Sequence, residues 1–439
     1  MLQLVSYCGR RAAATPSTRL EFGSSFWRVE GAGSEGQKSE LSVVCDGTCK
    51  GATAAFVALL PVYCSPHTAA MHNHEMTPTA YRVLTMVGHC FNGIGSVWLA
   101  RHAASGNLVA VKKYDVDKCS FEVLSILQHE SQAMRQLRHA RLMPCLSSFV
   151  SGTELWMVEP LCGYGSTKDL LAAHFTEGLP ERAIALILRD VVRALDYLHS
   201  QGYVHRSVRA SHILIGANGD TYLAGLRSSY CSYRDGRRLA RIHQFPELAA
   251  DGLNWLSPEI LAQDLRGYTA SSDVYSLGIT ACELANGLEP FAQMPPAAML
   301  HEKLAGEGEP VLLDATTIDA GYAERVQEQN DTDDPAVHED DTSLRLMRAA
   351  PGRRFSDAFH QFVRLCVDRE PSRRPTPAQL LTHPFLVRQC RRAPPLSHLL
   401  RPDVPVSEAT LLEGEQIVRD RLVTDMAGLQ LNQENTWDF

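Results

Sequence analysis

The feature that most constrains this chain is RAIALILRDVVRALDYLHSQG, residues 182–202, in which Ile184, Ile187, Leu188, Val191, Val192, Leu195 and Leu198 recur along one broad stripe. That spacing predicts an amphipathic helix with its apolar face in a core, and Gly202 after His199 supplies its stop. The stripe is core material, not a cofactor box. It delivers the chain to His205-Arg206-Ser207 within YVHRSVRASHILI, residues 203–215, with TYLAGLR, residues 221–227, shortly after. From Tyr81 the pattern is of another kind. YRVLTMVG, SVWLARH and NLVAVKKY alternate or run apolar between Gly, Asn or Ser turns, as antiparallel strands do. FEVLSILQHESQAMRQLRH then returns to helical spacing, with Glu130 one turn before Met134 on the same face. Strands first and helices after predict an α+β architecture: a small antiparallel β part with one main helix, then a large, mainly helical part.

The run around His205 resembles the catalytic loop of a protein kinase, H-R-D-L-x-x-x-N, and TYLAGLR resembles the D-F-G turn that follows it. The residues that carry the chemistry are replaced. Ser207 stands at the catalytic Asp, and a serine hydroxyl is no base near neutral pH. His212 stands at the metal-binding Asn and Gly225 at the D-F-G Asp, so the carboxylate oxygens that magnesium needs are missing from those positions. Other landmarks follow in kinase order. The loop from Gly88 to Val97 takes the place of the glycine-rich flap, although Cys90 stands where the second Gly is expected. Val109-Ala110-Val111-Lys112 matches V-A-I-K, with Glu130 as the expected partner of Lys112. Glu154 to Glu159 reads as the last strand of the small lobe and Pro160 to Gly165 as the hinge, with Glu159 guarding the space behind the adenine. Ser257-Pro258-Glu259 matches A-P-E, and the segment from Gly225 to Glu259 holds no threonine. Asp273 is expected to brace the catalytic-loop backbone and Arg374 to pair with Glu259. A two-lobed protein kinase fold is therefore expected, with a 76–160 small lobe and a 161–390 large lobe.

Composition bounds the rest. The 439 residues suit such a unit with tails, and 45% hydrophobic content with 21% charged residues permits a large core. A formal charge of −8 gives no reason to expect nucleic acid or an anionic membrane as a partner. Twelve scattered cysteines without a repeated C-x-x-C pattern fit reduced thiols better than zinc or disulfides, and no metal ligands are assigned. No apolar run reaches the ~18 residues of a spanning helix. Residues 1–75 are rich in small residues, lack a sustained period and are expected to be disordered. Arg10, Arg11 and Arg19 would suit a mitochondrial transit segment, but Glu21, Glu30, Glu35 and Glu40 follow, and transit peptides are acid-poor. Met71 is an alternative initiator. The acidic stretch within 319–354 reads as a solvated insert without an assigned function. The 391–439 tail ends in Trp437-Asp438-Phe439, aromatic anchors of the kind that interfaces bury.

HRSVRASHILI, the GLR turn, YGSTKDL, ALDYLHSQGYVHRS, GITACELANG and the terminal WDF together resemble the STRAD family of adaptor pseudokinases over the span from Tyr81 to the end, apart from the acidic insert. The resemblance implies a catalytically inactive protein that binds ATP without magnesium and adopts a closed, active-like conformation. It implies docking as a pseudosubstrate on a serine/threonine client of the liver kinase B type, which is thereby activated and retained in the cytoplasm. An armadillo-like scaffold would take the terminus, where Asp438 replaces the family's Glu. A cytoplasmic location with a nuclear fraction is expected. Nucleotide contacts are expected from Val87, Gly88, Val97, Ala110, Lys112 and Glu159, and from Glu130, Leu161, Cys162 and Leu214. Without magnesium the triphosphate must be met by protein cations, for which Arg209, His212 and Arg227 are the candidates. Met134, His205 and Leu226 are the candidates for an apolar column joining the lobes. Two alternatives stand beside this: a weakly active or repurposed phosphotransferase, favoured by Lys112 and Glu130, and a scaffold that binds no nucleotide, favoured by Cys90 and Glu159.

Overall fold

The computed structural model describes residues 19–22, 25–31, 41–46, 74–234, 236–263, 265–306, 310–317, 352–401, 403–407 and 410. Met71, most of the acidic insert and the terminal Trp437, Asp438 and Phe439 lie outside them. In the N-terminal extension, β1 (Arg19–Phe22), β2 (Ser25–Gly31) and β3 (Leu41–Asp46) pair in that order as an antiparallel sheet. The expected lack of regular structure over residues 1–75 therefore does not hold for these stretches. SFWRVEG and LSVVCD carry the β-branched and aromatic residues that suit a strand.

The chain divides into two units, Met1–Gln128 with Cys145–Glu159, and His129–Pro144 with Pro160–Phe439. The first unit holds β4 (Tyr81–Cys90), β5 (Gly95–His102), β6 (Leu108–Asp115), β7 (Ser147–Ser151) and β8 (Glu154–Pro160) in the order β4-β5-β6-β8-β7. The three expected strands are β4, β5 and β6, antiparallel to one another. Alternation sends Val109, Val111, Phe149, Trp156 and Val158 into one apolar cluster with Tyr81 and Ala100. Phe149 stacks between Tyr81 and Trp156, at centroid distances of 6.1 and 5.7 Å. Ala110 and Lys112 alternate with these core valines, and Lys112 is the register partner of Val97 across β5 and β6. Val97, Ala110 and Lys112 thus share the opposite face.

Helix α1 (Phe121–Gln136) crosses the division, which puts the expected border at 160 in need of correction for residues 129–144. Their hydrogen bonds explain why. Leu223 N–H donates to Arg141 O at 2.9 Å, Met143 N–H donates to Leu223 O at 2.9 Å, and Arg141 forms ion pairs with Asp190 and Asp220. This stretch is a bridge onto the large unit, not a part of the small sheet.

The second unit is helical. A capping box between Ser166 and Asp169 starts α2 (Thr167–Ala173). In α3 (Glu181–Ser200) all of the predicted stripe is buried. Pro258–Leu261 forms α4, Pro296–Ala305 forms α6 and Asp357–Cys366 forms α7, while α5 (Ser271–Asn286) buries every side chain from Ser272 to Asn286. A helix apolar or satisfied on all sides is the central post of its unit. Among the described residues no helix is long and apolar enough to cross a membrane.

Both ends of the expected insert are tied down. Ala315 N–H donates to Arg353 O at 3.0 Å, and the buried Asp314 accepts from Phe355 N–H at 2.8 Å and the His360 ring at 2.9 Å. The Arg353 guanidinium donates to Leu313 O and Ala285 O. Residues 352–354, expected inside the insert, therefore belong to the folded unit. Because the chain leaves and returns at one hydrogen-bonded pair, joining Thr317 to Gly352 through about two glycines should leave the melting temperature within about 2 °C. A drop of more than about 5 °C in a thermal scan would show that the excised stretch contributes to the fold.

Candidate functional site

The catalytic-loop counterpart is held from beneath. Strand β9 (Tyr203–Val204) leads into it, and β10 (Ile213–Ile215) pairs antiparallel with β11 (Thr221–Leu223) to close it. The Asp273 carboxylate, fully buried on α5, accepts from His205 N–H at 2.8 Å and Arg206 N–H at 2.7 Å. It also meets the His199 ring at 2.8 Å. Burial alone would push this carboxyl up, yet His199 and the backbone donors hold its pKa below the usual value. Arg206 has φ 62°, a left-handed backbone that a non-glycine residue adopts only under constraint. Asp273 supplies that constraint together with the Arg206 guanidinium, which donates to Ser228 O at 2.6 Å and to the Tyr268 hydroxyl at 3.2 Å. Arg374 grips Glu259 through two bonds of 2.6 and 2.9 Å, as its position in the sequence predicts.

Inside this frame the substituted residues contact one another. His212 Nδ1 lies 2.8 Å from Ser207 O and 3.1 Å from Ser207 Oγ, while Arg209 Nη2 lies 3.4 Å from His212 Nε2. One tautomer satisfies the set: Nδ1–H donates to the Ser207 carbonyl, and Nε2 accepts from Arg209. Burial, reinforced by the nearby Arg209 and Arg227 cations, holds the imidazole well below its ordinary pKa. His212 is therefore neutral near pH 7, which corrects its expected role as a phosphate-binding cation. Gly225 has φ 83°, and a Cβ added to it would lie 2.5 Å from His212 Nδ1. The ring fills the room an aspartate side chain would need, so the replacements at 212 and 225 form one steric unit.

The other two expected cations, Arg209 and Arg227, have partners of their own. Arg209 faces His212 and lies 5.9 Å from the Trp255 ring. Arg227 faces the buried Glu130 across 3.7 Å. Within the first unit, Lys112 meets the carboxylate of Glu159, with Nζ to Oε1 at 2.7 Å. Glu159 is buried at 2% exposure, so burial without a cation would be costly, and a lysine one strand away on the same sheet is the nearest remedy. Met134, His205 and Leu226 are all buried, and all three belong to the second unit. His205 Nε2–H donates to Ala224 O at 2.9 Å, and its Nδ1 accepts from Ser207 N–H at 3.2 Å, so its neutral ring is a structural connector.

The flap counterpart differs from a phosphate cradle. Phe91, Asn92 and Gly93 take φ values of 51, 53 and 84°, forming a tight left-handed turn between β4 and β5. Cys90 Sγ–H donates to the Tyr114 hydroxyl at 3.3 Å, which fastens the loop to its own sheet. Val87 is exposed and Gly88 has open space about its Cα. In the hinge, half-buried Leu161 and Cys162 precede Gly163, whose carbonyl accepts from Val406 N–H at 2.8 Å. A Cβ on Gly163 would meet Val406 O at 2.5 Å, so only glycine admits this strap of the tail. Half-buried Leu214 bridges to Ser166 beside the hinge.

One residue that the motifs do not flag is Glu283. Fully inside α5, its carboxylate accepts from Ala210 N–H at 3.0 Å and from the Trp255 indole at 2.9 Å. Burial pushes its pKa up to about 7 against those bonds. Its signal in the sequence is the one charged residue of GITACELANG.

The comparisons with known proteins agree with this geometry. The protein kinase domain model matches residues 81–386. STE20-related kinase adapter protein alpha of Gallus gallus is 43% identical over 346 residues, spanning 77% of this chain and 88% of that protein. The alpha protein of Homo sapiens is 41% identical over 376 residues, spanning 82% and 84%. The human beta protein is 36% identical over 318 residues, spanning 70% and 74%. With a kinase frame braced by Asp273 and the Arg374–Glu259 pair, and with kinase adapter proteins as its relatives, the chain belongs to the protein kinase domain family and, within it, to the STE20-related kinase adapters.

Proposed function

We propose that this chain is a pseudokinase adaptor that binds ATP without magnesium, transfers no phosphate, and presents its kinase-like surface to a serine/threonine client of the liver kinase B type. The observation that carries the reading is the mutual exclusion at 212 and 225. With a neutral imidazole 2.5 Å from where a Cβ of residue 225 would stand, no metal-binding carboxylate fits there. Ser207 hydrogen-bonds within the same cluster and supplies no base. The relatives' names support an adaptor role, and the folded frame supports a surface that a partner can recognise.

Of the three candidate cations, Arg209 and Arg227 would meet the phosphates, with Lys112 partly compensated by Glu159. Binding of ATP to the folded state then stabilises it by mass action and favours a closed conformation. The terminal Trp437-Asp438-Phe439 would engage an armadillo-like scaffold, and the assembly would activate the client and hold it in the cytoplasm. ATP is expected to raise the melting temperature equally in EDTA and in magnesium. Direct titration should show Arg227→Ala weakening magnesium-free ATP binding by at least about tenfold, as loss of a charge-assisted contact implies. Unchanged affinity would remove Arg227 from the site. Magnesium-dependent autophosphorylation abolished by Lys112→Met would instead establish the phosphotransferase reading.

A further inference from the structure

The second unit contains a cavity of about 1110 Å³ lined by none of Ser207, Arg209, His212, Gly225 or Arg227. It lies among the C-terminal end of α3, residues 238–242, α4 and the loop after it, the start of α5, the end of α6 and residues 369–378. Its floor is apolar, with Ile242, Tyr268 and Val274 buried. Its rim is cationic: Arg238, Arg241, Arg266 and Arg369 are all exposed. Arg374 also lines it, but Glu259 answers that charge. The carboxylates of Asp196 and Glu370 line the cavity as well.

We propose that this cavity is a docking site for an extended acidic peptide segment of a partner protein, with one apolar side chain of the segment seated on the floor. A cationic rim on a chain of formal charge −8 is a local reversal of sign, and such a reversal attracts an oppositely charged partner. Two of the arginines are held in place by backbone acceptors: Arg238 donates to His199 O at 2.9 Å and Arg369 to Glu302 O at 3.1 Å. Guanidinium forks held this way suit carboxylates bidentately. The four arginines come from three stretches of the chain, with Asp196 and Glu370 lining the same cavity. The volume of about 1110 Å³ lies just above the roughly 300–1,000 Å³ of small-molecule sites, which leaves room for several residues of chain.

The test is fluorescence polarisation of the full chain with a labelled peptide of about nine residues, Glu and Asp with one Leu and one Phe. Binding in the micromolar range is expected, weakening as salt rises from about 50 to 200 mM. The exposed double variant Arg241→Glu/Arg266→Glu should keep the parental melting temperature and lose at least about tenfold in affinity. Equal affinity for the variant would overturn the assignment, as would no binding to the parent chain at about 1 mM. So would tenfold tighter binding of a phosphoserine peptide without carboxylates, which would make the rim a phosphate site.

Discussion

Gly225→Asp, the substitution that restores the magnesium ligand of an active kinase at this position, is expected to lower the melting temperature by at least about 4 °C and to confer no response to magnesium. The left-handed backbone at φ 83° costs a non-glycine residue roughly 1–2 kcal/mol. Forcing a Cβ to 2.5 Å from the His212 ring adds an overpacking cost of about 1–3 kcal/mol. The double variant Gly225→Asp/His212→Asn opens that space, so the two changes should couple favourably, with the double more stable than the sum of the singles. Neither variant should transfer phosphate, because position 207 still carries no base. Calorimetry of the parent, the two single variants and the double with ATP, with and without magnesium, checks all of this. A single Gly225→Asp chain that melts with the parent and gains a magnesium-dependent shift would defeat the steric account.

The second large effect is expected at Glu159. The 2.7 Å bond between Glu159 and Lys112 buries a carboxylate whose partner is the lysine that grips phosphate in active kinases. Glu159→Thr should remove that competing carboxylate and raise ATP affinity about tenfold, since a hydrogen bond to a charged group is worth roughly 1.5–3 kcal/mol. The free protein should meanwhile lose stability, because removing one partner of a buried pair costs up to about 3–5 kcal/mol. Lys112 keeps 12% side-chain exposure, which places the cost toward the lower end. The variant would therefore melt lower alone and show a larger shift with ATP. An ATP midpoint within twofold of the parent would mean that the pair does not limit phosphate binding.

The strands around Lys112, the α3 stripe and the Asp273 and Arg374 positions were legible before any coordinates, because each is a local pattern or a fixed motif whose residue type implies its partner. The same holds for the loss of Asp, Asn and Asp at 207, 212 and 225, which is visible in the letters themselves. The pairing of charges was not. Lys112 meets Glu159, 47 positions away, and Arg227 faces Glu130. Nothing in the helical spacing of Glu130 could report its facing Arg227, and nothing in strand alternation singles out Glu159, since each contact depends on which groups meet once its own unit has folded. The neutrality of His212 is of the same kind. A histidine in the sequence is a candidate cation, and only full burial beside Arg209 and Arg227 decides otherwise.

Sequence by itself determined the family, the order of the elements and the absence of catalytic carboxylates at the three motif positions, since these follow from short-range periodicity and residue chemistry. Tertiary structure decided which charges cancel, that the His212 ring and an aspartate at 225 compete for one space, and that an arginine-rimmed cavity forms from segments between residues 196 and 378. Such outcomes depend on distances between groups far apart along the chain, and burial in a low-dielectric interior makes them energetically decisive.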